Sequence, residues 1–76
     1  MKVIRIFRNG NNVWCSIDGK DEPLLAFALY LGMEKKEKIL EKFENEKPAF
    51  LIEDTSDEEL VKLAEQLYVH LDKIFN

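Results

Sequence analysis

The feature that most restricts this chain is a pair of alternating segments, residues 2–8 and 12–18, joined through Asn9-Gly10-Asn11. Asn-Gly between β-branched and aromatic residues is the strongest short hairpin signal, because the turn positions must accept positive φ. Two registers are open. A two-residue turn at Asn9-Gly10 sets Ile6 against Val13 and Ile4 against Cys15. A turn at Gly10-Asn11 sets Ile6 against Cys15 and Ile4 against Ile17. Either one gathers Ile4, Ile6, Val13, Cys15 and Ile17 on one face, since strand side chains alternate with period two. A three-residue loop would oppose Ile6 to Trp14 and mix the faces. The other face carries Val3, Arg5, Phe7, Trp14 and Ser16, which is too apolar for plain solvent surface.

Residues 19–22 read as a loop, with Asp21 as a helix N-cap and Pro23 in the first turn. Leu24 to Leu31 is then apolar all round a helical wheel, so that helix is buried on most sides or lies at an interface. Gly32 suits a left-handed stop. Met33 to Glu46 resumes as a charged helix whose Met33, Ile39, Leu40 and Phe43 form one core stripe, and Pro48 ends it. Ala49 to Ile52 is a short unbroken apolar run, the pattern of a strand covered on both faces. Ser56 with Glu59 forms a capping box opening a helix from Asp57 to Phe75, about 28 Å long. The apolar residues of that helix span about 160°, more than a helix lying on a sheet needs, so the surplus meets a second element or a second chain.

The sum is an α+β domain in the order ββααβα over residues 1–76. Its small mixed sheet has three strands, the N-terminal hairpin plus one later strand, packed with two to three helices. A right-handed crossover sets the third strand parallel to the second and antiparallel to the first, with the first strand central. No apolar run approaches the ~20 residues that cross a bilayer. The start, MKVIRIF, has no leader pattern, which predicts a cytoplasmic protein with no membrane partner.

The net charge of −4 argues against whole-molecule affinity for nucleic acid or anionic lipid. The charge is uneven. Lys2, Arg5, Arg8 and Lys20 against Asp18 give residues 1–20 a balance of +3, and seven lysines against fourteen acids give the remainder −7. Catalytic chemistry is poorly supplied. Cys15 falls on the core face of its strand, where a thiol is an inert small hydrophobe, and His70 flanks the apolar side of the last helix. Glu53, Asp54, Asp57, Glu58 and Glu59 lack the spacing and the glycine of a cation loop, and three of them suit the positive end of a helix dipole. A helix-turn-helix drawn through residues 21–46 would offer DNA as many acids as lysines. No enzyme activity, cofactor or metal is expected.

Two candidate surfaces remain. Val3, Arg5, Phe7 and Trp14, with Arg8 nearby, combine cationic and aromatic groups on the outer hairpin face. That composition suits a protein hot spot, or the stacking of single-stranded nucleic acid. Leu24, Leu25, Phe27, Tyr30, Tyr68 and Phe75 are the candidates for an oligomer or partner interface. The chain therefore reads as a small acidic regulatory module that occupies a protein partner, with the size and charge of an inhibitor of the kind mobile elements encode. A nucleic-acid-binding protein using the outer hairpin face and a homo-oligomeric structural protein, with a homodimer as one form, are the alternatives.

Overall fold

The computed structural model describes residues 2–76. Strands β1 (Val3–Asn9) and β2 (Asn12–Ile17) form the expected hairpin, in the register that opposes Ile6 to Cys15 around Gly10-Asn11. Gly10 takes φ +64°, a value that L side chains resist.

The segment read as a loop is a strand. Asp18 and Gly19, at φ 55° and 78°, make a second two-residue turn with both residues left-handed. It folds back β3 (Lys20–Pro23), which pairs Cys15 with Glu22 and Trp14 with Pro23. Asp21 is thus a strand residue and not a helix cap. β3 escapes hydrophobic patterning because it is an edge strand of Lys20, Asp21, Glu22 and Pro23, the residues that protect an edge from further pairing.

The sheet therefore has four strands in the order β3-β2-β1-β4 rather than three. β1 lies inside it, as expected, but β4 (Ala49–Ile52) runs parallel to β1, opposing Val3 to Ala49 and Ile6 to Ile52. The added strand explains the direction. β3 runs parallel to β1, so a crossover that leaves from β3 delivers a strand parallel to both.

Helix α1 (Leu24–Met33) follows β3 directly, continues through Gly32 and ends at Glu34, whose ψ of 154° is extended. Gly32 is therefore a helical residue and not a stop. α2 (Lys36–Lys42) is stopped by Glu44 and Asn45, both left-handed, before Pro48 is reached. α3 (Glu58–Phe75) takes Asp57 as its N-cap, whose carboxylate accepts the Leu60 N–H at 3.1 Å. The Ser56 N–H and hydroxyl instead donate to Asp54 at 3.0 and 2.6 Å, so the cap sits one residue later than the capping box placed it. Asp57→Ala is accordingly expected to lower the thermal midpoint clearly more than Ser56→Ala; equal midpoints by circular dichroism would contradict this assignment.

All three helices lie on one side of the sheet. α1 rests on β2 and β3, α3 rests on β1 and β4, and α2 packs against α3. Ile4, Ile6, Cys15 and Ile17 meet Leu24, Phe27 and Leu31 of α1, Ile39 of α2, Phe43, and Leu60, Ala64, Leu67 and Leu71 of α3. Phe27 stacks on Tyr30 and meets the edge of Phe43, which in turn meets Phe75, so four aromatic rings close one end of the core. The apolar surplus of α3 is largely absorbed within the chain, by Phe43 against Phe75 and by Phe50 against Tyr68. Met33, expected in the core stripe, is 84% exposed, because α1 ends with it on the solvent side. β4 is covered on one face only: Phe50 and Ile52 pack on the core while Leu51 stands exposed.

Candidate functional site

Because every helix takes the same side, the other face of the sheet is uncovered among the described residues. Strand alternation and register bring Val3, Arg5 and Phe7 of β1, Trp14 and Ser16 of β2, Leu51 of β4 and Asp21 and Pro23 of β3 onto that face. A sheet face turned to water is ordinarily polar. This one is mostly apolar, with Val3 and Leu51 about half exposed.

Phe7 opposes Trp14 across the hairpin, and Arg5 opposes Ser16 on one side and Leu51 on the other. The Arg5 guanidinium lies 4.3 Å from the Phe7 ring centroid and donates to Glu53 Oε2 through Nε at 3.3 Å and Nη2 at 3.2 Å. The cation is thus held over the ring, and Phe7 is buried. Both ends of the Arg5–Glu53 pair are exposed, so its role is to orient the side chain more than to stabilise the fold.

Val3, Arg5, Phe7 and Trp14 are therefore brought together, while Arg8 is not among them. It has the strand parity of Ile4 and Ile6 and turns to the helical side. There it donates to Asp57 at 2.8 and 3.2 Å, to Glu59 at 2.9 Å and to the Asn11 carbonyl at 3.3 Å. These bonds hold the guanidinium's pKa above its ordinary value, and Arg8 in turn holds the Asp57 carboxyl below the usual range. Arg8 ties the hairpin to the start of α3. Four of the five clustered acids have partners within the chain: Glu53 pairs with Arg5, Asp57 and Glu59 pair with Arg8, and Asp54 accepts from Ser56. Lys2 pairs with Asp18 at 3.1 Å, so most of the cations in the basic N-terminal segment are matched where they stand.

Cys15 is fully buried beside β3. Burial first, then the acids Glu22 and Asp21, push its thiol up to about 12, so it is no nucleophile near neutrality. His70 is exposed on α3.

The second set of candidates divides. Leu24 and Phe27 belong to the core, and Tyr30 and Phe75 are half-buried against it. Tyr68 stands at the β4 end, its ring against Phe50 and under Lys47 Nζ at 3.7 Å, with Lys47 bonded to Asp72. Leu25 is 72% exposed on α1, at the opposite half of the sheet. Its neighbours Leu29 and Met33 are exposed as well, and sequence reasoning missed them as a surface. The signal was present, since residues 25, 29 and 33 repeat at i+4 on the side opposite Leu24, Phe27 and Leu31. Between α1 and α3 lies a groove of about 750 Å³, with Leu25 and Ala28 on one wall, Leu63 and His70 on the other, and Val13 and Trp14 of the hairpin also lining it.

No helix of the described residues is long and apolar enough to cross a membrane. Comparison with known protein families, curated proteins and solved structures finds no match.

Proposed function

We propose that the chain is a non-catalytic binding module that docks a protein partner on the uncovered face of its sheet and acts by occupying that partner. The observation that supports this reading is the apolar character of a face that no helix covers. Large apolar patches on small domains mark interaction sites, and Trp and Arg are the residues in which binding energy concentrates. Trp14 supplies a half-buried ring and Arg5 a pre-positioned guanidinium. The nucleic-acid reading is less well supported, because a phosphate backbone needs free cations and Arg5 and Arg8 are paired with the chain's own carboxylates.

The test is capture of tagged wild type and Trp14→Ala from host lysate, with and without nuclease. One stoichiometric protein is expected to survive nuclease and to bind Trp14→Ala at least about 30-fold more weakly. Capture that collapses with nuclease would move the function to nucleic acid. Equal capture by the two chains would remove this face from the function.

A further inference from the structure

The sheet has two edges, and they are built differently. β3 closes one with Lys20, Asp21, Glu22 and Pro23, which keep other strands away. β4 closes the other with Ala49, Phe50, Leu51 and Ile52, and no charge stands in it. The N–H groups of Ala49 and Glu53 donate inward, to the Lys2 and Ile6 carbonyls at 3.1 and 2.9 Å. Backbone groups alternate in direction along a strand, so the N–H and C=O groups of Phe50 and Ile52 point outward. No hydrogen bond from the described residues meets them there. Their spacing is that of a strand, so the chain that pairs them all is itself extended.

The surroundings of the edge select the chemistry of that chain. On the helical side, Tyr68 packs against Phe50 and Asp72 binds Lys47, which turns the α3 stripe Val61, Glu65, Tyr68 and Asp72 toward β4. On the open side, Leu51 is followed by Glu53 and Asp54. Leu51 and Tyr68 are about half exposed. The cations beside the edge are engaged, Lys47 by Asp72 and Arg5 by Glu53. Glu65 has no ion pair among the described residues. An incoming strand therefore meets open backbone groups, apolar side chains and an excess of acid on either face. A second copy of β4 would bring Glu53, Asp54, Glu65 and Asp72 against the same acids. A strand with Lys or Arg between apolar residues complements the edge on whichever face its cations fall.

We propose that the β4 edge takes up an extended, basic segment of a protein partner as a fifth strand of the sheet. The segment is held by backbone hydrogen bonds to Phe50 and Ile52, by apolar contact with Leu51 and Tyr68, and by Glu65. This site is additional to the uncovered sheet face and does not rest on it.

The probe is a capped, fluorescent peptide of about eight residues alternating lysine and valine, titrated with the intact chain and followed by anisotropy. Saturable binding with a Kd below about 1 mM is expected. In the complex, the Phe50 and Ile52 amides should exchange with solvent more slowly than in the free chain, read by NMR. The same peptide with glutamate in place of lysine should bind at least about tenfold more weakly, and so should Glu65→Lys, whose exposed position leaves the fold intact. A chain synthesised with the Ile52 nitrogen methylated keeps every side chain and the inward ladder, checked by circular dichroism, and should also lose at least about tenfold. Trp14→Ala, on the sheet face, should bind the peptide as wild type does. No binding to wild type would overturn the proposal. So would full binding by the methylated chain, which would leave charge alone as the cause, or a loss in Trp14→Ala equal to that in Glu65→Lys. A chain that light scattering shows to be dimeric, and that methylation of Ile52 returns to monomer, would make the occupant a second copy and overturn it as well.

Discussion

Phe27→Ala is expected to abolish cooperative folding at 25 °C. Phe27 has no exposed surface, stacks on Tyr30 and packs its ring at a steep angle against Phe43, so it joins α1 to the chain after α2 at one end of the core. Truncating a buried phenylalanine costs about 3–5 kcal/mol, through lost transfer energy and the cavity left behind. A domain of 76 residues holds only about 4–11 kcal/mol in all. One substitution therefore removes from about a quarter of the stability to all of it. The measurement is urea unfolding followed by far-UV circular dichroism and Trp14 fluorescence. The wild type should give one steep transition, Phe27→Leu a shifted steep one, and Phe27→Ala a shallow slope from the first addition of urea. A steep transition at the wild-type midpoint for Phe27→Ala would show that the core does not hinge on this ring.

The second large effect is alkaline. The Cys15 thiol is pushed from its ordinary 9.0 up to about 12, by burial first and then by the acids of β3. The sign follows from proton binding. Between these values the unfolded chain releases the thiol proton and the folded chain keeps it, so the free energy of unfolding falls as pH rises. The stabilisation is complete below pH 9 and is lost progressively above it, at up to about 1.4 kcal/mol per pH unit. The thiol is isolated by comparison with a chain that lacks it, so the measured quantity is a difference of slopes. Stability against pH from 9 to 11 should fall more steeply in wild type than in Cys15→Ala, although Cys15→Ala is the less stable of the two at pH 7. Parallel slopes would mean that the thiol ionises in the folded state.

Particular residues show where the sequence was legible. The first hairpin was readable because Gly10 and the alternating isoleucines constrain the same register. Asp18-Gly19 is an equally good turn, yet β3 carries no apolar alternation, since an edge strand of Lys, Asp, Glu and Pro is built for water. Missing it reversed the expected direction of β4, because each hairpin flips the chain once. The end of α1 was misread for a related reason. Glycine permits a left-handed stop without imposing one, and the actual break falls at Glu34. At the candidate site, the set Val3, Arg5, Phe7 and Trp14 follows from period two alone. That nothing covers it does not, because which side the helices take is settled by tertiary packing. Arg8 was legible by parity and was misplaced through its nearness in sequence.

The pairing of β1 with β4 has a consequence for how the chain is made. β1 to β3 form a meander of local contacts that can close as soon as residue 23 is available. The outer edge of β1, from Val3 to Ile6, finds its partner only in Ala49 to Ile52. During synthesis from the N-terminus, an inner strand of the sheet therefore waits with a bare hydrogen-bonding edge until more than half of the chain has followed it. Over that interval the nascent chain is open to pairing with other strands, and the speed of elongation through α1 and α2 sets how long the exposure lasts.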